Sequence, residues 1–172
     1  MNRQNRPTAM DRASFVAAFG GVYEHSPWIA EAAFERGLPA DGDSATGLHR
    51  ALTAVLREAP LDRKRALINA HPDLAGRLAM AGRLTADSSK EQAGVGLDRL
   101  SAEEYARFTA LNEAYKERFG FPFIMAVKGR TKEEIPEAFE RRLQHDEATE
   151  QATALEQIER IALLRLQDLL AS

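Results

Sequence analysis

Apolar positions recur every three or four residues along most of this chain, the spacing of helices that bury one face. Phe15, Val16, Phe19 and Val22 form the first such set, behind Asp11, a good helix N-cap, and ahead of Gly20-Gly21. Ser26 and Pro27 suit the N-cap and first position of a second helix, predicted to stop at Gly37, before Pro39. Asp43 or Ser44 opens a third, which carries Leu48, Leu52, Val55 and Leu56 and ends near Pro60. Asp62 opens a fourth with Ala66, Leu67 and Ala70 inward. Pro72 ends it at His71, because the residue before a proline is pushed out of helical backbone angles.

Beyond that break, Pro72 suits the first position of a short helix through Leu78 and Met80. Residues 82–88 read as a loop, and Ser88-x-x-Glu91 as the start of a further helix. Ser101-x-x-Glu104 is a capping box ahead of Tyr105, Phe108, Leu111 and Tyr115, in a helix that stops at Gly120. Residues 121–127, Phe-Pro-Phe-Ile-Met-Ala-Val, are the one β-leaning run; alone they can pair with nothing and read as a buried extended segment. Thr131-x-x-Glu134 is another capping box, with Pro136 close enough behind it to distort the helix, and a long helix runs from about Asp146 to Leu170. The pattern predicts an all-α fold: a single-domain helical bundle over residues 11–172 with one short extended segment, preceded by a flexible tail of residues 1–10.

Composition narrows the function classes. With 172 residues, 44% hydrophobic and 28% charged, the chain can bury a full core as a globular protein. A formal charge of -3 gives no basic footprint and argues against nucleic acid and membrane surfaces as partners. The absence of cysteine excludes disulfides, a thiol nucleophile and any cysteine-based metal site. No apolar run approaches the ~20 residues that span a bilayer. The N-terminus lacks a signal-peptide pattern and Leu170-Ala171-Ser172 is no peroxisomal address, so a cytoplasmic location is expected. His25, His49, His71 and His145 show no metal-ligand spacing, and phosphate-binding glycine motifs are absent, so neither a metal nor a nucleotide phosphate is expected.

Three places carry candidate chemistry, each with a plain structural alternative. His71 sits at a forced break, where loops and pockets form, ahead of a helix N-terminus whose field favours neutral imidazole. Such a group can exchange a proton near neutral pH, or simply fill space at the break. Ser88 and Glu91, with Ser89 and Gln92 one residue on, cap a helix; the same N-terminus, with Ala93, Gly94 and Gly96 behind it, also suits an anion. Arg165 falls in register with the apolar stripe Leu155, Ile158, Ala162 and Leu169. It either snorkels to the rim or is paired inside, and with no acidic partner evident from spacing a bound carboxylate is a reasonable partner.

Longer pieces then align with a known pattern. They are Glu24-His25-Ser26-Pro27-Trp28, Asn69-Ala70-His71-Pro72-Asp73-Leu74-Ala75-Gly76 and Ser88-x-x-Glu91-Gln92-Ala93-Gly94-Val95-Gly96-Leu97. Leu111-Asn112-x-x-Tyr115, Phe119-Gly120-Phe121-Pro122-Phe123-Ile124, Arg142-Leu143 and Ile161-Ala162-x-x-Arg165-Leu166 follow in order. In these residues the chain resembles the OHCU decarboxylase family, which acts on 2-oxo-4-hydroxy-4-carboxy-5-ureidoimidazoline in urate breakdown. The resemblance implies an all-helical, homodimeric carboxy-lyase that works without cofactor or metal and forms (S)-allantoin. It puts the catalytic pair on His71 and Glu91. It puts substrate contacts on Pro72, on Ser88, Ser89, Lys90 and Gln92, on the backbone of Phe123, Ile124, Met125, Ala126 and Val127, and on Arg165. Val95, Pro136 and His145 depart from the family's usual residues, none at the catalytic pair. The alternative is a helical module that binds a purine-derived metabolite without turning it over.

Overall fold

A computed structural model describes residues 6–71, 101–127, 130, 131 and 133–170. Among them are seven α-helices and no strand, which is the all-α class that the spacing of apolar residues predicts. The described residues gather into two compact units.

The first unit holds residues up to Ala70 and those from Ile158 onward. Its helices are α1 (Arg12–Phe19), α2 (Trp28–Arg36), α3 (Ala45–Glu58) and α4 (Leu61–Ala70). The local signals work as expected at α1, where the Asp11 carboxylate accepts from the Ser14 N–H at 2.8 Å. At α3 it is Ser44 rather than Asp43 that caps, accepting from Gly47 N–H at 3.0 Å. Asp43 is occupied elsewhere. It accepts from the Thr8 N–H and hydroxyl, both at 2.8 Å, and from Arg6, so the 3-10 turn Pro7–Ala9 is pinned inside the stretch expected to be a tail.

Two local expectations fail in this unit. Ser26 does not cap α2: its hydroxyl donates to the Glu24 carbonyl at 3.0 Å, and the helix begins at Trp28. The inner face of α4 is Leu67 and Ile68, whereas Ala66 is exposed, because a helix turns its larger apolar side chains inward first. The core is built from Phe15, Phe19, Tyr23, Ile29, Leu48, Leu52, Leu56, Leu67, Ile68, Ile158 and Leu166, all buried.

The second unit runs from His71 to Gln157 and contains α5 (Ala102–Phe119) and α6 (Glu134–Arg142). The last helix, α7 (Glu147–Leu170), gives its residues through Gln157 to this unit and the rest to the first. The capping box at α5 is complete in both directions between Ser101 and Glu104, and Gly120 ends the helix in the left-handed conformation at φ 77°. The buried face of α5 is Phe108, Asn112, Tyr115 and Phe119; Tyr105, counted inward from spacing, is 43% exposed.

Pro136 leaves α6 undistorted. It is the third helical residue, where a backbone N–H has no intrahelical acceptor to lose. The box ahead of α6 is met from one side, the Thr131 hydroxyl accepting from the Glu134 N–H at 3.3 Å, while the Glu134 carboxylate lies 3.9 Å from Arg130. Phe123 stacks on Phe139, and Tyr115 meets Phe123 edge-on with ring centroids 5.1 Å apart.

Candidate active site

His71 directly follows the last residue of α4, as the His-Pro step requires, and is buried, with 3% of its surface exposed. A histidine that only capped a surface break would face water. This one is inside and is not without a partner. Pro72, Ser88, Ser89, Lys90, Glu91 and Gln92, and the helices expected between residues 72 and 100, lie outside the described residues.

The segment 121–127 belongs to neither helix nor strand, yet each of its residues is buried. Buried backbone without a ladder needs other partners for its N–H and C=O groups. Two are supplied by side chains: the Ile124 carbonyl accepts from Arg142 Nη1 at 2.6 Å, and the Ala126 N–H donates to Gln157 Oε1 at 2.9 Å. The Ala126 N–H is therefore engaged within the protein, and the Ile124 carbonyl has one of the two donors it can accept. The N–H groups of Phe123, Ile124, Met125 and Val127 have no hydrogen-bond partner among the described residues.

Arg142 is the hub of a buried cluster that spacing did not reveal. Its Nε donates to Glu150 Oε1, its Nη2 lies 3.4 Å from the Tyr115 hydroxyl, and its guanidinium sits 4.3 Å from the Phe123 ring centroid. Glu150 is fully buried and also accepts from the Tyr115 hydroxyl at 2.5 Å. Burial pushes the Tyr115 phenol far above its ordinary range; Arg142 opposes this and the Glu150 carboxylate adds to it, so the phenol stays a neutral donor. His145 Nδ1 is 3.1 Å from Glu150 Oε2, and since a carboxylate only accepts, the nitrogen is the donor. The signal was present in the pattern. Arg142 lies on the inner face of α6 with Ile135, Ala138 and Phe139, and Glu150 opens the buried stripe Ala154, Ile158, Ile161, Ala162, Arg165 and Leu166 of α7.

That stripe also settles the surroundings of Arg165. Leu155 is only half-buried and Leu169 is 49% exposed, so the true stripe is shifted from the predicted one, and Arg165 is inside it with 3% exposure. Rim snorkelling is excluded. Its partner is Glu24, 141 residues away in sequence: Nη2 lies 3.1 Å from Glu24 Oε1, and Nη1 donates to the Val22 carbonyl at 3.2 Å. A partner so distant in the chain cannot be found from helical spacing. His25, next to Glu24, is exposed and adopts φ 51°, a left-handed conformation uncommon outside glycine, which turns the chain between the Glu24 and Ser26 contacts.

Comparison with known proteins agrees with the residues that carry the resemblance. The chain is 45% identical over 164 residues to the 2-oxo-4-hydroxy-4-carboxy-5-ureidoimidazoline decarboxylase of Haloferax volcanii, covering 95% of this chain and 93% of that protein. It is 40% identical to the bovine (Bos taurus) protein of the same name, with 94% of each covered. Among solved structures, an (S)-allantoin synthase superposes with a TM-score of 0.75 at 32% identity, over 95% of this chain and 52% of that one. The family model for OHCU decarboxylase matches residues 8–167, so this chain belongs to the OHCU decarboxylase family.

Proposed function

We infer that the protein is a cofactor-independent carboxy-lyase that converts 2-oxo-4-hydroxy-4-carboxy-5-ureidoimidazoline to (S)-allantoin in urate breakdown. The observation that carries this is the family match over residues 8–167, which spans the His71, Glu91 and Arg165 motifs together.

Decarboxylation without a cofactor needs an electron sink within the substrate. When the bond between C4 and its carboxylate breaks, CO2 leaves and the electron pair forms a C4–C5 double bond. The pair of the former C5 imine moves onto its nitrogen, which takes a proton. The C4 hydroxyl then gives up its proton to become a carbonyl while C5 gains one, so one proton is consumed overall. His71 serves proton transfer at the C4 hydroxyl, and Glu91 orients the substrate and serves the second transfer. The buried setting of His71 supports this role, since low local dielectric strengthens its hydrogen bonds to a ligand.

Binding falls to Pro72, Ser88, Ser89, Lys90 and Gln92, to the backbone N–H groups of Phe123, Ile124, Met125 and Val127, and to Arg165. Phe123 to Val127 also contribute apolar walls. The protein acts on its small-molecule substrate as a cytoplasmic homodimer. Freshly generated substrate, followed by circular dichroism for the appearance of (S)-allantoin, tests the reaction; no acceleration over the spontaneous rate overturns it. Sedimentation equilibrium tests the dimer.

A further inference from the structure

We propose that Gln157 and Arg142 are positioning residues for the substrate: their side chains stand in for a missing neighbouring strand and fix the segment 121–127. The proposal rests on the decarboxylase reading, in which backbone amides of that segment contact the substrate. The Ile124 carbonyl and the Ala126 N–H flank Met125, and one residue of a parallel neighbour strand would engage such a pair of groups. Here Arg142 takes the carbonyl at 2.6 Å and Gln157 takes the N–H at 2.9 Å.

Both holders are themselves fixed. Arg142 is clamped by Glu150, by the Tyr115 hydroxyl and by the Phe123 ring, all within one compact unit. Gln157 is anchored on α7 three turns beyond Asp146, whose carboxylate caps that helix at the Thr149 N–H. With one backbone group on each side of Met125 tied down, the peptide planes between them cannot rotate. The Met125 amide, which shares a peptide plane with the Ile124 carbonyl, is then held at a fixed direction before any ligand arrives, which lowers the ordering cost of binding.

Gln157 offers the cleaner test, because it is only half-buried and carries no charge, whereas substituting Arg142 leaves Glu150 buried without its main partner. Gln157→Leu is expected to lower kcat/KM about tenfold, mainly through KM, and to weaken binding of (S)-allantoin in calorimetric titration by about the same factor. Gln157→Glu retains an oxygen acceptor and is expected to recover both. Wild-type turnover with unchanged KM and Kd in Gln157→Leu overturns the positioning role and leaves the decarboxylase reading intact. Binding of (S)-allantoin that Gln157→Leu weakens, in a wild type without turnover, overturns that reading and supports positioning. Neither binding nor turnover in the wild type overturns both. A lower Tm in Gln157→Leu that Gln157→Glu restores without restoring KM reduces Gln157 to a structural role and overturns the proposal.

Discussion

Glu24 and Arg165 form a buried ion pair, 3.1 Å between Oε1 and Nη2, with both side chains almost wholly removed from water. Removing one partner of such a pair leaves a buried charge uncompensated, at a cost of about 3–5 kcal/mol. Glu24→Ala and Arg165→Ala are both expected to lose stability on that scale in urea unfolding. Arg165→Lys keeps the charge but loses the planar fork, and separates folding from binding. It should lose at least about tenfold in kcat/KM with a much smaller change in Tm, as one lost charge-assisted hydrogen bond would give. Wild-type kcat/KM in folded Arg165→Lys would remove the guanidinium from the substrate site.

His71→Asn preserves size and some hydrogen bonding but cannot exchange a proton near neutral pH. A fall in kcat of about 10²–10⁴ is expected, the usual share of general acid–base catalysis. Glu91→Gln can still complete a capping box with Ser88, so a purely structural Glu91 would leave both Tm and rate near wild type. The expected result is a collapsed rate at an unchanged Tm, measured by steady-state kinetics beside thermal unfolding.

Tyr115→Phe keeps the ring that meets Phe119, Phe121 and Phe123 and removes only the hydroxyl that donates to Glu150. The lost hydrogen bond is to a buried carboxylate, so destabilisation of about 1.5–3 kcal/mol is expected in denaturant unfolding. A neutral substitution would show that Glu150 is satisfied by Arg142 and His145 alone.

Gly47 lies in the first turn of α3, and a Cβ there would sit 2.1 Å from the Asp41 carbonyl oxygen. The obstacle is backbone, which cannot swing aside as a flexible side chain would. Gly47→Ala is therefore expected to destabilise by about 1–3 kcal/mol despite alanine's better helix propensity. An unchanged or raised Tm would contradict the geometry.

Asp11 and Asp146 each accept a backbone N–H at a helix N-terminus, from Ser14 and Thr149, and those hydrogen bonds hold both carboxyls below the ordinary carboxylate range. A depressed folded pKa means that the caps contribute fully above the unfolded value, about 4, and lose that contribution as pH falls through the folded value. Asp11→Asn, which accepts without titrating, should flatten the acid limb of Tm against pH. An acid limb identical to wild type would assign the loss to other carboxylates.

Local structure was readable wherever one residue decides it. Asp11, Ser44, Ser101 and Gly120 set helix ends through their own side chains or lack of one, and the His71-Pro72 step stops α4 where expected. What periodicity missed depends on partners that helical spacing does not count. Asp43 was taken from capping by Thr8, Ser26 by the Glu24 carbonyl, and Arg165 found Glu24. The Arg142–Glu150 cluster was hidden because charged residues on a helix are counted outward by default, although both lie in register with apolar neighbours. The catalytic assignments came from ordered motifs, because spacing alone left His71, Glu91 and Arg165 each with a purely structural explanation.

The Glu24–Arg165 pair also bears on how the protein is made. A ribosome delivers the chain from its N-terminus, so α1 to α4 emerge well before residues 158–170 of α7. Until that last stretch appears, the first unit lacks Ile158, Ile161, Ala162 and Leu166 from its core, and Glu24 has no guanidinium to meet. The unit begun first is thus completed last: its core and its buried ion pair close only once synthesis has passed Arg165.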